Sequence, residues 1–301
     1  MMTRLGFLRS AAGATAFGAL SGCRVFGGCG RKIAVNASTI RGYGLTLKEQ
    51  VTAAVAAGCR GYEPWLKDVH AAKVRGEFAD AVRIARDGGL VFVNGIAFGQ
   101  WAHPDGTIRA KGIEETKRDM AALAEMGCRR IAASMFGVHK PGSPVLRPGE
   151  IADRFGTVCE LGERMGVKPL LEYWGHSVNM NRLEDALEVL SLVGRGETAV
   201  LADVYHTYRG GGSFAAFRRL RAGQLPVLHV NDYPLTRPRV ELVDADRVWP
   251  GDGAAPWGEI LGAIDGAGLE PWLSIEVFNP SYWRSTPVAT MREGVRKTEG
   301  V

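Results

Sequence analysis

Seven times along the chain, a glycine that reads as the end of a helix is followed within a few residues by a short apolar run. Gly58 precedes residues 59–63, Gly89 precedes 90–93, Gly127 precedes 128–132 and Gly166 precedes 167–172. Gly196, Gly223 and Gly268 stand ahead of 199–203, 225–229 and 272–276. Glycine is favoured just past a helix C-terminus because it takes positive φ without a Cβ clash. With residues 32–37 as the first, the runs number eight. Between them lie stretches with helical spacing. Val51, Ala54, Val55 and Cys59 share one face, Met120, Leu123, Ala124 and Met126 another, and Leu183, Leu187, Leu190 and Val193 a third. Eight buried strands alternating with amphipathic helices predict an α/β fold, a (β/α)8 TIM barrel with a parallel sheet. A doubly wound open sheet is the alternative, but no G-x-G-x-x-G marks the first strand–helix turn.

A barrel of this kind carries its active site at the C-terminal ends of the strands. Four runs end there in metal-grade side chains: Glu172, Asp203, His229 and Glu276. A carboxylate closing an apolar strand is costly to bury unless it is paired or metal-bound. Three carboxylates and an imidazole suit one divalent cation of intermediate hardness, such as Mn, Mg, Co or Zn. His206 forms D-x-x-H with Asp203, and Asp232 follows His229 by three residues, placed to orient a ligand or the substrate. Glu63 ends the second run and faces the same rim. Trp65, Trp101, Trp174 and Trp257 fall on or near rim loops, where they either pack or stack on a sugar face. His70, His103, His139 and His176 fall into no pattern.

The first residues read as a leader rather than as fold. Residues 1–23 hold Arg4 and Arg9 around Phe7 and Leu8, then an Ala/Gly-rich apolar run ending in Leu20-Ser21-Gly22-Cys23. That ending resembles a bacterial lipoprotein cleavage box, which would lipidate Cys23 and anchor an exported protein in the cell envelope or periplasm. Leu5 stands where a twin-arginine signal has its second arginine. Residues 24–31 read as a tether and 32–301 as a single catalytic domain. Cys59, Cys128 and Cys159 form no CxxC pair and read as packing residues. The net charge of +5 comes from scattered basic residues. Without a basic run interleaved with aromatics, nucleic acid is not an expected partner.

Asp203-x-x-His206, His229-x-x-Asp232 and the stretch 246–253 (DRVWPGDG) leading to Ser274-Ile275-Glu276 resemble the sugar isomerase/epimerase superfamily. These are the xylose isomerase-like barrels, which include inosose dehydratases and apurinic endonuclease IV. The resemblance runs from about Lys32 to Trp283. It implies that Glu172, Asp203, His229 and Glu276 hold one cation and that His206 contacts the substrate. Ketose 3-epimerases carry a further glutamate where this chain has Val178, and an arginine close behind the histidine ligand. Here Arg237, Arg239 and Arg247 are the candidates for that arginine. The nuclease branch has D-R-H where this chain has Asp246-Arg247-Val248, which sets DNA repair aside. The expected activity is metal-dependent isomerisation or epimerisation of a carbohydrate-like hydroxy-ketone. Glu172 and Glu276 would act as acid and base, with substrate contacts from His206, Asp232, Glu63 and Arg247. A keto-sugar or cyclitol lyase would use the same ligands, and a non-catalytic sugar-binding lipoprotein is the alternative outside enzymes. The partners expected are a small sugar or cyclitol and a membrane reached through the lipid; a homo-oligomer is compatible with the sequence.

Overall fold

The computed structural model describes residues 30–194 and 197–301. The leader and its Cys23 lie outside the described residues. Of the tether, Gly30 and Arg31 are described, and Arg31 pairs with Asp265 at 2.8 Å. The strands are β1 (Lys32–Asn36), β2 (Gly61–Glu63), β3 (Val91–Phe92), β4 (Arg130–Ser134), β5 (Lys168–Glu172), β6 (Ala199–Asp203), β7 (Val227–Val230) and β8 (Trp272–Ile275). Between and after them run α1 (Leu47–Ala57), α2 (Leu66–Arg75), α3 (Phe78–Asp87), α4 (Gly106–Glu125), α5 (Pro148–Met165), α6 (Leu183–Leu192), α7 (Val204–Gly210), α8 (Trp257–Gly266) and α9 (Pro287–Glu299). Every strand pair is parallel, in the order β3-β2-β1-β8-β7-β6-β5-β4. Each expected apolar run is thus a strand, and the (β/α)8 expectation holds. No helix among the described residues is long and apolar enough to cross a membrane.

The ring closes between β3 and β4 through one isolated bridge. Gly95 N donates to Arg130 O at 3.2 Å, and Ala132 N donates to Gly95 O at 2.9 Å. A Cβ on residue 95 would sit 2.5 Å from Leu123 Cδ2 and 2.8 Å from Leu66 Cδ2, so any larger residue at this seam would make both leucines shift. At helix ends, Gly58 and Gly166 take φ of 81° and 66°, as their positions predict. Gly196 lies outside the described residues, and nearby Gly194 has φ 65°.

Side chains alternate along a strand, so every second residue faces the barrel interior. Leu170, Leu201 and Val227 fill that interior together with Ala132, Ala199 and Ile96, and Trp272 packs against them. Residues two further on face inward as well, one layer higher. They are Glu172, Asp203 and His229, at or next to the C-terminal end of each strand. The same parity carries Asn36 and Glu63 inward on β1 and β2. The larger apolar core lies between the ring and the helices. It holds Val51, Ala54, Met120, Leu123 and Leu183 from the expected helix faces, with Cys59 and Cys128. Burial pushes the Cys59 thiol up to about 11 and that of Cys128 up to about 12, in keeping with packing roles.

Candidate metal and substrate site

Asp203, His229 and Glu276 present ligand atoms within 4.8 Å of one another, all buried. Register sets this geometry: Asp203 pairs with His229 across β6 and β7, and Glu276 leaves β8 directly after Ile275. His229 Nδ1 lies 3.3 Å from Glu276 Oε2 and 3.8 Å from Asp203 Oδ2, with no hydrogen-bond partner of its own. On the β5 side stands Glu172, outside that 4.8 Å spread. Its Oε2 is buried and has no partner among the described residues. Orphaned buried acceptors are rare in folded proteins and call for an occupant. Three carboxylates and an imidazole nitrogen, with Glu172 Oε2 and His229 Nδ1 among them left unpartnered, fit a divalent cation.

Glu63 does not reach the cavity. Its carboxylate accepts from Asn36 at 2.8 Å, Asn94 at 2.6 Å and Ser274 at 2.6 Å, and it holds His229 Nε2 at 2.9 Å. The expectation of a substrate contact is corrected here. Glu63 orients the histidine from behind and leaves Nδ1 to face the other donors. Ligating histidines commonly have such a carboxylate on the far nitrogen. Asp232 is corrected too. Its Oδ1 accepts from Tyr233 N and Ala255 N at 2.8 Å, and its Oδ2 from Gly251 N at 3.0 Å and Trp257 Nε1 at 2.9 Å. With both oxygens spent on the loop, it has none left for a ligand or substrate.

Of the three candidate arginines, Arg247 enters the site. Arg237 pairs with Asp246, and Arg239 donates to the backbone of Tyr208 and Arg209. Arg247 is 1% exposed. Its Nη1 donates to Glu276 Oε2 at 2.8 Å and Asp203 Oδ2 at 3.1 Å, while Nη2 reaches Asp244 at 2.7 Å and His206 Nε2 at 3.1 Å. Because a guanidinium only donates, His206 Nε2 is the acceptor.

The two glutamates expected to move protons sit in opposed fields. Burial lifts Glu172 to about 8, helped by the charges of Glu276 and Glu63 and opposed by His229. Burial also raises Glu276, but His229 and Arg247 outweigh it and hold that carboxyl at about 2. Asp203 is raised by burial to about 6, against the pull of Arg247. His229 is lowered by burial yet ends well above its ordinary value, because Glu276 and Glu63 flank it. Burial and the Arg247 charge hold His206 well below the usual histidine range, so it is neutral.

Above these groups opens a cavity of about 210 Å3. Trp65, Phe98, Phe136, Trp174 and Phe278 line it, with Glu172, Glu276, His206 and Arg247 at its inner end. Among the rim tryptophans, Trp65 and Trp174 line the cavity. Trp101 is buried against Phe155, and Trp257 serves Asp232. His139 and His176 also line it, although their sequence spacing carried no signal. They come from the loops after β4 and β5, and only the closed ring brings them beside His206. His70 instead pairs with Asp119 on the helical shell. Val178, where the epimerases carry a glutamate, is 38% exposed and does not line the cavity.

Comparison with known proteins agrees with this geometry. The model of the xylose isomerase-like TIM barrel family matches residues 51–299. An inosose isomerase of Bacillus velezensis is 29% identical over 148 residues, 48% of this chain and 51% of that protein. A 3-dehydroshikimate dehydratase of Pseudomonas aeruginosa is 24% identical over 261 residues, covering 83% of this chain and 39% of that one. The matches to the inosose isomerases thus span about half the length of those relatives. Among solved structures, an IolI protein with a bound zinc atom superposes with a TM-score of 0.80 at 22% identity, covering 89% of this chain and 96% of that one. A D-psicose 3-epimerase in the presence of D-fructose gives 0.69 at 16%, covering 89% and 97%. At these identities the structural likeness speaks for the barrel.

Proposed function

The chain belongs to the xylose isomerase-like TIM barrel family, and we propose that it is a metal-dependent isomerase or epimerase of a small hydroxy-ketone related to sugars or cyclitols. The observation that carries this reading is the buried trio of Asp203, His229 and Glu276 at the inner end of one cavity, with Glu276 and Glu172 both on the cavity wall. A divalent cation held by these four residues would stabilise the negative charge that develops on substrate oxygen when a neighbouring C–H proton is lost. Ionised at neutral pH, Glu276 is the base that accepts that proton. Glu172 holds a proton in the metal-free protein and gives it up when the cation binds, so the proton it delivers to the opposite face is one taken up from solvent during turnover. Arg247 fixes the Glu276 carboxylate, and His206, its Nε2 occupied by Arg247, orients rather than titrates. The aromatic walls exclude water from the intermediate.

A lyase reading is favoured by one observation: the dehydratase relative aligns over 83% of the chain. Expulsion of a β-hydroxyl would follow the same proton abstraction. Deuterium exchange from D2O into candidate ketones, with Mn or Zn present, tests the shared step. Exchange with return to an isomeric ketone supports the isomerase, and exchange with loss of water supports the lyase. No exchange into any cyclic or open-chain hydroxy-ketone would leave a non-catalytic binder. Glu276→Gln is the control, expected to slow exchange by about 10²–10⁴-fold while still offering an oxygen to the cation.

We also propose an exported, lipid-anchored location, supported by Leu20-Ser21-Gly22-Cys23 after the apolar run. Mass spectrometry of the protein from its native host should find lipid on Cys23. A mature chain with an unmodified Cys23 would end that reading.

A further inference from the structure

A pocket for a neutral polyol needs acceptors, because every hydroxyl donates as well as accepts. Among the described residues lining this cavity, Glu172, Asp244 and Glu276 bring the carboxylates. Glu172 and Glu276 belong to the donor set for the cation, and Asp244 Oδ1 accepts from Arg247 Nη2 at 2.7 Å. The other charged or imidazole side chains lining it are Arg41, Arg247, His139, His176 and His206. This lining is rich in donors and poor in free acceptors.

Arg41 is the one of these whose charge is unmatched. It sits on the 3-10 turn Ala37–Tyr43 after β1. That turn is fixed by Asn36, which caps it, and by Trp283, whose Nε1 donates to Thr39 O at 3.0 Å and whose ring covers Gly42 so closely that no Cβ would fit. The Arg41 guanidinium lies 5.2 Å from the Trp65 ring centre and 5.6 Å from that of Phe278. Among the described residues, none gives it an ion pair or a side-chain hydrogen bond. Arg247 lies 4.9 Å from the ring of the same Phe278. Two guanidinium groups therefore stack on one phenylalanine. The inner one is matched by Asp203, Glu276 and Asp244, and the outer one faces the cavity mouth uncompensated. Stacking on aromatics holds a guanidinium in place while leaving its N–H fork open for a planar anion. A cavity of about 210 Å3 has room for roughly seven waters at about 30 Å3 each, enough for one small substituted ring.

We infer that the substrate is a small cyclic hydroxy-ketone bearing a carboxylate, with its carbonyl toward Glu172 and Glu276 and its carboxylate on Arg41. This rests on the function proposed above and narrows its substrate class. Arg41 is then the residue that separates acidic ring ketones from neutral ones.

The Mn-loaded protein should be titrated calorimetrically with 3-dehydroshikimate, a cyclic hydroxy-ketone with a carboxylate, and with an inosose, which has none. The wild type is expected to bind 3-dehydroshikimate roughly tenfold or more tightly than the inosose, the usual scale of one charge-assisted contact. Arg41→Ala should bring that ratio close to one, and Arg41→Lys should keep part of it. Arg41 is exposed, so both variants are expected to fold, which circular dichroism verifies. An inosose that binds as tightly, a ratio unchanged in Arg41→Ala, or no binding of 3-dehydroshikimate would each overturn the inference. Deuterium exchange is read separately. Exchange without a carboxylate preference retains the proposed chemistry and removes the role of Arg41. A preference abolished by Arg41→Ala, without exchange into any ketone, retains the anion site and removes the chemistry.

Discussion

Glu63 has four side chains bonded to its carboxylate and is fully buried, yet it touches neither the cavity nor the trio of ligand atoms. Its work is done through His229. Glu63→Gln would set an amide N–H against His229 Nε2 or force the imidazole to turn, so metal affinity should fall about 10–100-fold. Competition titration with a zinc chelator measures this, and unchanged affinity would make the pair merely structural. Two other residues make metal binding a proton-linked event. In the metal-free protein, Glu172 is lifted to about 8 by burial and His229 stands well above its usual value, so both hold protons at neutral pH. A cation must displace them. Its binding should therefore release protons, and its affinity should climb as pH rises toward about 8, since the competing proton on Glu172 is lost there. Calorimetry in buffers of different ionisation enthalpy reads the protons directly; identical apparent enthalpies would contradict the assignment.

At the scale of elements, the connection from β7 to α8 shows how a long loop delivers one side chain to a site. Asp232 and Val248 exchange backbone hydrogen bonds of 2.9 Å in each direction, closing the base of the loop and fixing Arg247 beside Val248. The Asp232 carboxylate then gathers Gly251, Ala255 and Trp257. Asp232→Asn would point an NH2 at N–H donors and leave buried groups unpaired. A stability loss of about 1–3 kcal/mol is expected, with metal affinity nearly unchanged. Denaturant unfolding and metal titration check the two halves, and a large loss of affinity at full stability would return Asp232 to the site. This loop also marks where reading the sequence stops. Glu172, Asp203, His229 and Glu276 were legible because a charged or imidazole group ending an apolar strand is conspicuous against its neighbours. Glu63 and Asp232 were equally conspicuous, but their roles depend on partners that the chain alone does not reveal: His229 lies 166 residues from Glu63. Arg41, His139 and His176 carried no local pattern, since only closure of the ring brings their loops over one cavity. The strands were legible from their glycine punctuation. The two-residue length of β3 was not, because pairing rather than composition decides it.

Across the whole molecule, the four proposed ligands come from β5 to β8, one continuous half of the ring, and Glu63 supports them from β2. In the metal-free protein Glu172 is protonated, so among the described residues Glu63, Asp203 and Glu276 face Arg247 and a protonated His229, and this cluster holds one more negative than positive charge until a cation enters. The opposite side of the ring is held differently. Between β3 and β4 the ladder is reduced to the two bonds of Gly95. A barrel stitched so thinly at one place should breathe there first. In native-state hydrogen exchange, the amides of Gly95 and Ala132 should trade their protons for solvent deuterium well before those of Leu171 or Leu228. Exchange beginning instead between β6 and β7 would refute this. If the barrel does open at Gly95, it opens like a clasp bracelet, away from its setting: the residues proposed to hold the cation stay assembled while the far side gapes.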